Sequence, residues 1–165
     1  MRCNVKRLLF ILMFGIAASF YSIADEKKAP LSSDMTAFVV SVDDEGKEVF
    51  TPAETVYPKD KIEYRLTYKN NTDEPLKGLV VTGPVPANTF FVSNTNNTKV
   101  NSQFLVSIDG GKNYESEPVK REIIKDGKKV EIIIPPEKYT NIRWVPKEPI
   151  SGNQKQIFKY RIEVK

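Results

Sequence analysis

Lys61-Ile62-Glu63-Tyr64-Arg65-Leu66-Thr67-Tyr68-Lys69 decides the fold class. Ile62, Tyr64, Leu66 and Tyr68 alternate with Glu63, Arg65, Thr67 and Lys69. A period of two puts one apolar and one polar face on an extended chain, so the segment reads as a half-buried strand. Residues 156–164 repeat the pattern: Phe158, Tyr160, Ile162 and Val164 take one face, and Lys159, Arg161 and Glu163 the other. Residues 35–42 form a third such run. Shorter runs weighted toward Val, Ile, Phe and Tyr fall at 48–51, 76–82, 89–93, 103–108, 119–124, 129–134 and 139–145.

Turn chemistry separates these runs. Asp43-Asp44-Glu45-Gly46 and Asp126-Gly127 read as hairpin turns, and residues 70–75 as a loop. Gly83-Pro84-Val85-Pro86 is expected to break pairing, and Pro135-Pro136 to end the strand before it, because proline lacks an N–H. Residues 94–101 are polar and poor in β-formers, which makes them the expected most mobile loop. No helical period is sustained over ten residues. Nine or ten short strands with turns every 8–15 residues predict an all-β, antiparallel two-sheet sandwich, with an open-ended barrel as the alternative. The absence of crossover helices excludes a parallel α/β fold.

Outward from this core, the N-terminus has a different character. Arg2, Lys6 and Arg7 precede Leu8 to Phe20, an uncharged and mostly apolar run of 13 residues. Ser22-Ile23-Ala24 follows with small residues at the two positions a signal peptidase reads. Thirteen helical residues span about 20 Å, short of the ~30 Å hydrocarbon core. Residues 1–24 are therefore expected to be a signal peptide, 25–34 a charged linker, and 35–165 the sandwich. Cys3 precedes the apolar run and leaves with the signal.

That removal takes away three of the 25 basic residues and none of the 21 acidic ones, so the net charge falls from +4 to +1. A charge of +1 gives no reason to propose nucleic acid as a partner. No cysteine remains for a disulfide, and no histidine exists anywhere as general base or zinc ligand. The expectation is a non-enzyme with no cofactor, no metal and no membrane span after cleavage, a monomer or weak oligomer placed in the periplasm or outside the cell.

Four ordered segments carry a family likeness. They are Pro58-Lys59-Asp60 with its following strand and Asn70-Asn71; Val80-Val81-Thr82-Gly83-Pro84-Val85-Pro86-Ala87-Asn88-Thr89-Phe90-Phe91; Val106-Ser107-Ile108-Asp109-Gly110-Gly111-Lys112-Asn113-Tyr114; and Tyr139-Thr140-Asn141-Ile142-Arg143-Trp144-Val145. Together they resemble the bacterial cell-envelope repeat domain known as domain of unknown function eleven. The resemblance implies an exported immunoglobulin-like β-sandwich without enzymatic activity or cofactor. Gly83 departs from the aspartate usual there, and a single copy does not make the long stalk of tandem arrays.

Several motifs have two readings. Residues 107–114 loosely fit an Asp-box, in which Asp109 accepts backbone N–H bonds across a turn. Asp43-Asp44-Glu45 offers oxygens to calcium but lacks EF-hand spacing. Asn70-Asn71-Thr72 and Asn96-Asn97-Thr98 are N-x-T sequons, headed by Asn70 and Asn96 and read as loop asparagines in a bacterial chain. Trp144 is a core anchor, or it joins Tyr139 and Arg143 in a ligand surface for glycan. The expected partners are an envelope protein, through loops and free strand edges, or a surface glycan. A hydrolase using paired carboxylates is the third reading, and nothing marks two of the acids as sharing a cleft.

Overall fold

The computed structural model describes residues 29–165. The expected signal peptide and residues 25–28 lie outside them. Eleven strands follow in order: β1 (Leu31–Val42), β2 (Glu48–Pro52), β3 (Lys61–Asn70), β4 (Val81–Pro84), β5 (Thr89–Phe91), β6 (Asn97–Thr98), β7 (Ser102–Ser107), β8 (Lys120–Lys125), β9 (Lys128–Ile133), β10 (Asn141–Pro146) and β11 (Lys155–Val164). The large sheet runs β2-β1-β3-β11-β5, with β6 also on β11. The small sheet runs β4-β10-β7, and β8-β9 pair only with each other. All pairs are antiparallel. The large and small sheets share no strand pairing, so they face each other as a sandwich and close no barrel.

The two alternating segments sit side by side at the centre. Ile62 opposes Ile162, Tyr64 opposes Tyr160, and Leu66 opposes Phe158. Their apolar face meets Val81, Val106, Ile142 and Trp144 of the small sheet in one core. Trp144 lies 5.5 Å from the rings of Phe104 and Phe158 and 6.0 Å from Tyr160, centroid to centroid. Tyr64 stacks on Tyr160 at 5.1 Å. Each large side chain buried this way contributes about 1.5–3 kcal/mol. The tyrosine hydroxyl of Tyr160 donates to the Pro84 carbonyl at 2.6 Å, so its polar end is satisfied inside the core.

Four segments depart from the sequence expectation. First, β1 begins at Leu31, inside the expected linker, and pairs with β3 from Leu31↔Asn70 onward. The Leu31-Ser32-Ser33-Asp34 stretch has little strand propensity, but the ladder and Asn71, whose side-chain amide donates to Ala29 O and Ser32 Oγ, hold it. Second, pairing continues through Gly83 and Pro84, opposite Ile142 and Asn141. The run expected at 76–82 enters the ladder only at Val81, and Leu76 bridges Ile150 alone. Third, β6 lies within the loop expected to be most mobile, where Thr98 and Asn97 pair with Phe158 and Lys159. Fourth, residues 136–138 form a 3-10 turn with proline at its start, so β10 begins at Asn141 and leaves Tyr139 outside it.

Gly83 is required by close approach. A Cβ there would stand 2.7 Å from Tyr160 Cε1 and 2.9 Å from its Cζ. Tyr160 is fully buried and tied by its hydroxyl, so it has nowhere to go. Gly83→Ala is expected to lose about 1–3 kcal/mol by overpacking, seen as a lower urea midpoint with unchanged m-value.

Candidate functional site

The structure separates the three residues proposed as a ligand surface. Trp144 is 1% exposed and Tyr139 4%. Tyr139 stacks near Phe91 at 6.1 Å, and burial, together with the nearby Glu117 carboxylate, pushes its hydroxyl up to about 12. Arg143 takes the opposite face of β10. Its guanidinium lies 3.5 Å from the centroid of the Tyr114 ring, and its Nε donates weakly to Thr82 Oγ1 at 3.4 Å. Tyr139 and Trp144 belong to the core, and no surface joins them to Arg143.

The Asp-box segment is a closed hydrogen-bond system. Asp109 Oδ1 accepts from Ser107 Oγ (2.7 Å), Asn113 N–H (3.0 Å) and Lys112 N–H (3.1 Å). Its Oδ2 accepts from Asn113 Nδ2 at 2.7 Å. Ser107 Oγ in turn accepts from Gly111 N–H at 2.9 Å. Gly110 and Gly111 have φ of 76° and 84°, where a side chain is strained. The bonds from Asn113, then Ser107, hold Asp109 far below the usual carboxylate range. A depressed folded-state value means the stabilisation is complete above the unfolded value of 3.8 and is lost as pH falls below it. Asp109→Asn is therefore expected to lower the urea midpoint at pH 7 and to flatten its acid dependence below about pH 4 relative to the parent.

The face of the large sheet opposite the core carries the densest charge. Arg161 donates to both oxygens of Glu48 at 2.6 and 2.7 Å, and to Glu63 Oε2 at 2.9 and 3.1 Å. Arg65 Nε donates to Glu63 Oε1 at 2.7 Å. The Arg65 guanidinium lies 4.4 Å from the Phe38 ring centroid and 4.5 Å from that of Phe50. These neighbours cover Glu63, which is 4% exposed on a face that alternation assigns to solvent. Arg161 holds Glu48 below its usual value. Beside the cluster lies a polar cleft of about 400 Å³, lined by Glu48, Phe50, Asn94, Asn97, Lys159 and Arg161 among others. Sequence reasoning had no signal for it, since Arg161 meets Glu48 across 113 residues and Glu63 across 98. Arg161→Ala leaves Glu63 buried with Arg65 as its only cation, and a loss of about 3 kcal/mol is expected. Adding Glu63→Gln should recover part of it in urea titrations.

Asp43 is a turn residue. Its Oδ1 accepts from the N–H of Glu45 at 3.0 Å and of Lys47 at 2.9 Å. Among the described residues no group of three or more Asp, Glu, Cys or His is arranged to hold a metal ion. Asn70, read as a loop residue, is instead fully buried at the end of β3. Its amide donates to the carbonyls of Glu74, Ile150 and Ser151, while its oxygen accepts from Thr72.

The β8–β9 ribbon differs from everything else in the chain. Its register runs from Lys120↔Ile133 to Lys125↔Lys128. Asp126 and Gly127, both at positive φ, close it as the two-residue turn expected. Buried Val119 anchors its base, and its carbonyl accepts from Ile134 N–H at 2.8 Å. Beyond that anchor the ribbon pairs with neither sheet. Ile124 is 67% exposed and Ile133 62%, with Ile123 and Val130 also exposed. Lys120 pairs with Glu131 at 2.9 Å and Lys129 with Glu122 at 3.3 Å. No protein-family model, curated protein or solved structure matches this chain.

Proposed function

We propose that this chain is an exported, non-catalytic β-sandwich module that acts by protein contact at the bacterial envelope, with the β8–β9 ribbon as its contact surface. The observation that carries the reading is the ribbon: two strands standing off the sandwich, with free outer edges and four exposed branched apolar residues. Export rests on the basic-apolar-small order of residues 1–24. The envelope setting rests on the four segments that resemble the repeat domain. Against catalysis stands the chemistry of the acids that do converge. Glu48 and Glu63 share Arg161, which favours the ionised form of Glu48, whereas a glycosidase acid needs a raised value. Among the described residues no helix is long and apolar enough to cross a membrane.

A photo-crosslinking amino acid at Ile133, tested in the native host, is expected to give an adduct of discrete mass. The same probe at exposed Lys69 should give none. Equal labelling at both positions, or none at Ile133, would remove the ribbon from the reading. Carbohydrate binding is the second reading, and the polar cleft favours it over the buried Tyr139 and Trp144. It requires glycan retention that Asn94→Ala/Asn97→Ala abolishes.

A further inference from the structure

We infer that the partner of the ribbon is a second copy of this chain, joined edge to edge through β9 about a twofold axis at Val130. The inference rests on the ribbon being the contact surface. The hydrogen bond from Ile134 N–H to Val119 O sets the parity of the hairpin ladder. Lys128, Val130 and Ile132 therefore turn their N–H and C=O groups toward β8. Lys129, Glu131 and Ile133 turn theirs outward, where no described residue meets them.

An antiparallel copy can pair with these outward groups only in alternate registers. One sets Lys129 against Lys129, and another sets Glu131 against Glu131. The register between them sets Lys129 opposite Glu131 of the second copy, twice by symmetry, with four backbone hydrogen bonds. Val130 then meets its own copy at the axis. Opposite charges across a ladder stabilise, and like charges directly opposite destabilise. The β8 edge offers a poorer solution. Its register that sets Lys120 opposite Glu122 twice puts Arg121 against Arg121 at the axis, where β9 has Val130 against Val130, and its neighbouring registers set Glu122 against Glu122 or Arg121 against Lys125.

The product is a four-stranded sheet, β8-β9-β9-β8. Ile123 already opposes Val130 within one ribbon, so one face gains the continuous row Ile123, Val130, Val130, Ile123. An isolated two-stranded hairpin is marginal in water, whereas three or more strands with an apolar face are self-supporting. Self-pairing thus supplies what the free ribbon lacks.

Sedimentation of the purified protein from micromolar to millimolar is expected to show a monomer–dimer equilibrium. Lys129→Glu should raise the dimer Kd at least tenfold, and Lys129→Glu/Glu131→Lys should restore it. In a Cys3→Ser background, Val130→Cys should oxidise to a covalent dimer, because facing residues of a non-hydrogen-bonded pair have Cα atoms about 4.5 Å apart. Ile124→Cys, on the β8 edge, should not. A monomer throughout, a dimer indifferent to Lys129→Glu, or an open-ended series of larger species from β8-to-β9 pairing would overturn self-pairing through β9. An Ile133 adduct with a different protein, alongside a monomer in solution, would keep the ribbon as contact surface and remove only the second copy.

Discussion

Tyr160 is the point around which this sandwich closes. Its ring stacks on Tyr64 within the large sheet and lies against Trp144 of the small one. Its hydroxyl reaches the Pro84 carbonyl across the gap between them. A buried phenol without a partner costs free energy, so β4 must come close enough to accept that bond. Only a residue without a side chain permits the approach, which explains Gly83. Sheet spacing, the position of β4 and the burial of Trp144 all follow from one ring and its acceptor.

The same strands impose a second condition on their other face. Alternation that sends Tyr64 and Tyr160 inward sends Glu63, Arg65 and Arg161 outward. These three neighbours would repel or compete if left unordered, yet they form a single network with Glu48, capped by Phe38 and Phe50. The charges are matched closely enough that Glu63 is buried at what is nominally a solvent face. The polar cleft beside them inherits a rigid floor, because Arg161 is held by two carboxylates from different strands.

Periodicity made the architecture legible: β3 and β11 were placed by their alternation, and the Asp126-Gly127 turn by its residue types. Propensity failed where tertiary pairing overrode it. Ser32, Ser33 and Asp34 are poor strand formers that join β1 because β3 offers a ladder. Pro84 retains pairing because an edge strand tolerates a missing donor. Asn97 and Thr98 look like loop and become a strand on β11. Side-chain placement was least legible. The sequence allowed Tyr139, Arg143 and Trp144 to share a surface, but a strand that puts Trp144 inward puts Arg143 outward, and Tyr139 precedes the strand altogether. Residue type alone did not distinguish β8 and β9 from core strands, since Val and Ile recur there, but in the adjacent pairs Ile123-Ile124 and Ile132-Ile133 rather than in the alternation of β3 and β11. Their separation from both sheets is a property of the assembled fold.

Asn70 has a practical consequence for anyone producing this protein. Its sequon is intact, and oligosaccharyltransferase acts on nascent chains before they fold. In yeast or mammalian secretion the enzyme would reach Asn70 while its amide is still free. A sugar tree fixed to that nitrogen could not enter the enclosed site where it meets the carbonyls of Glu74, Ile150 and Ser151. The loop carrying Ile150 would then fail to dock, whereas modification of the half-buried Asn96 would not close off any such site. The choice of production host is thereby written into one interior amide.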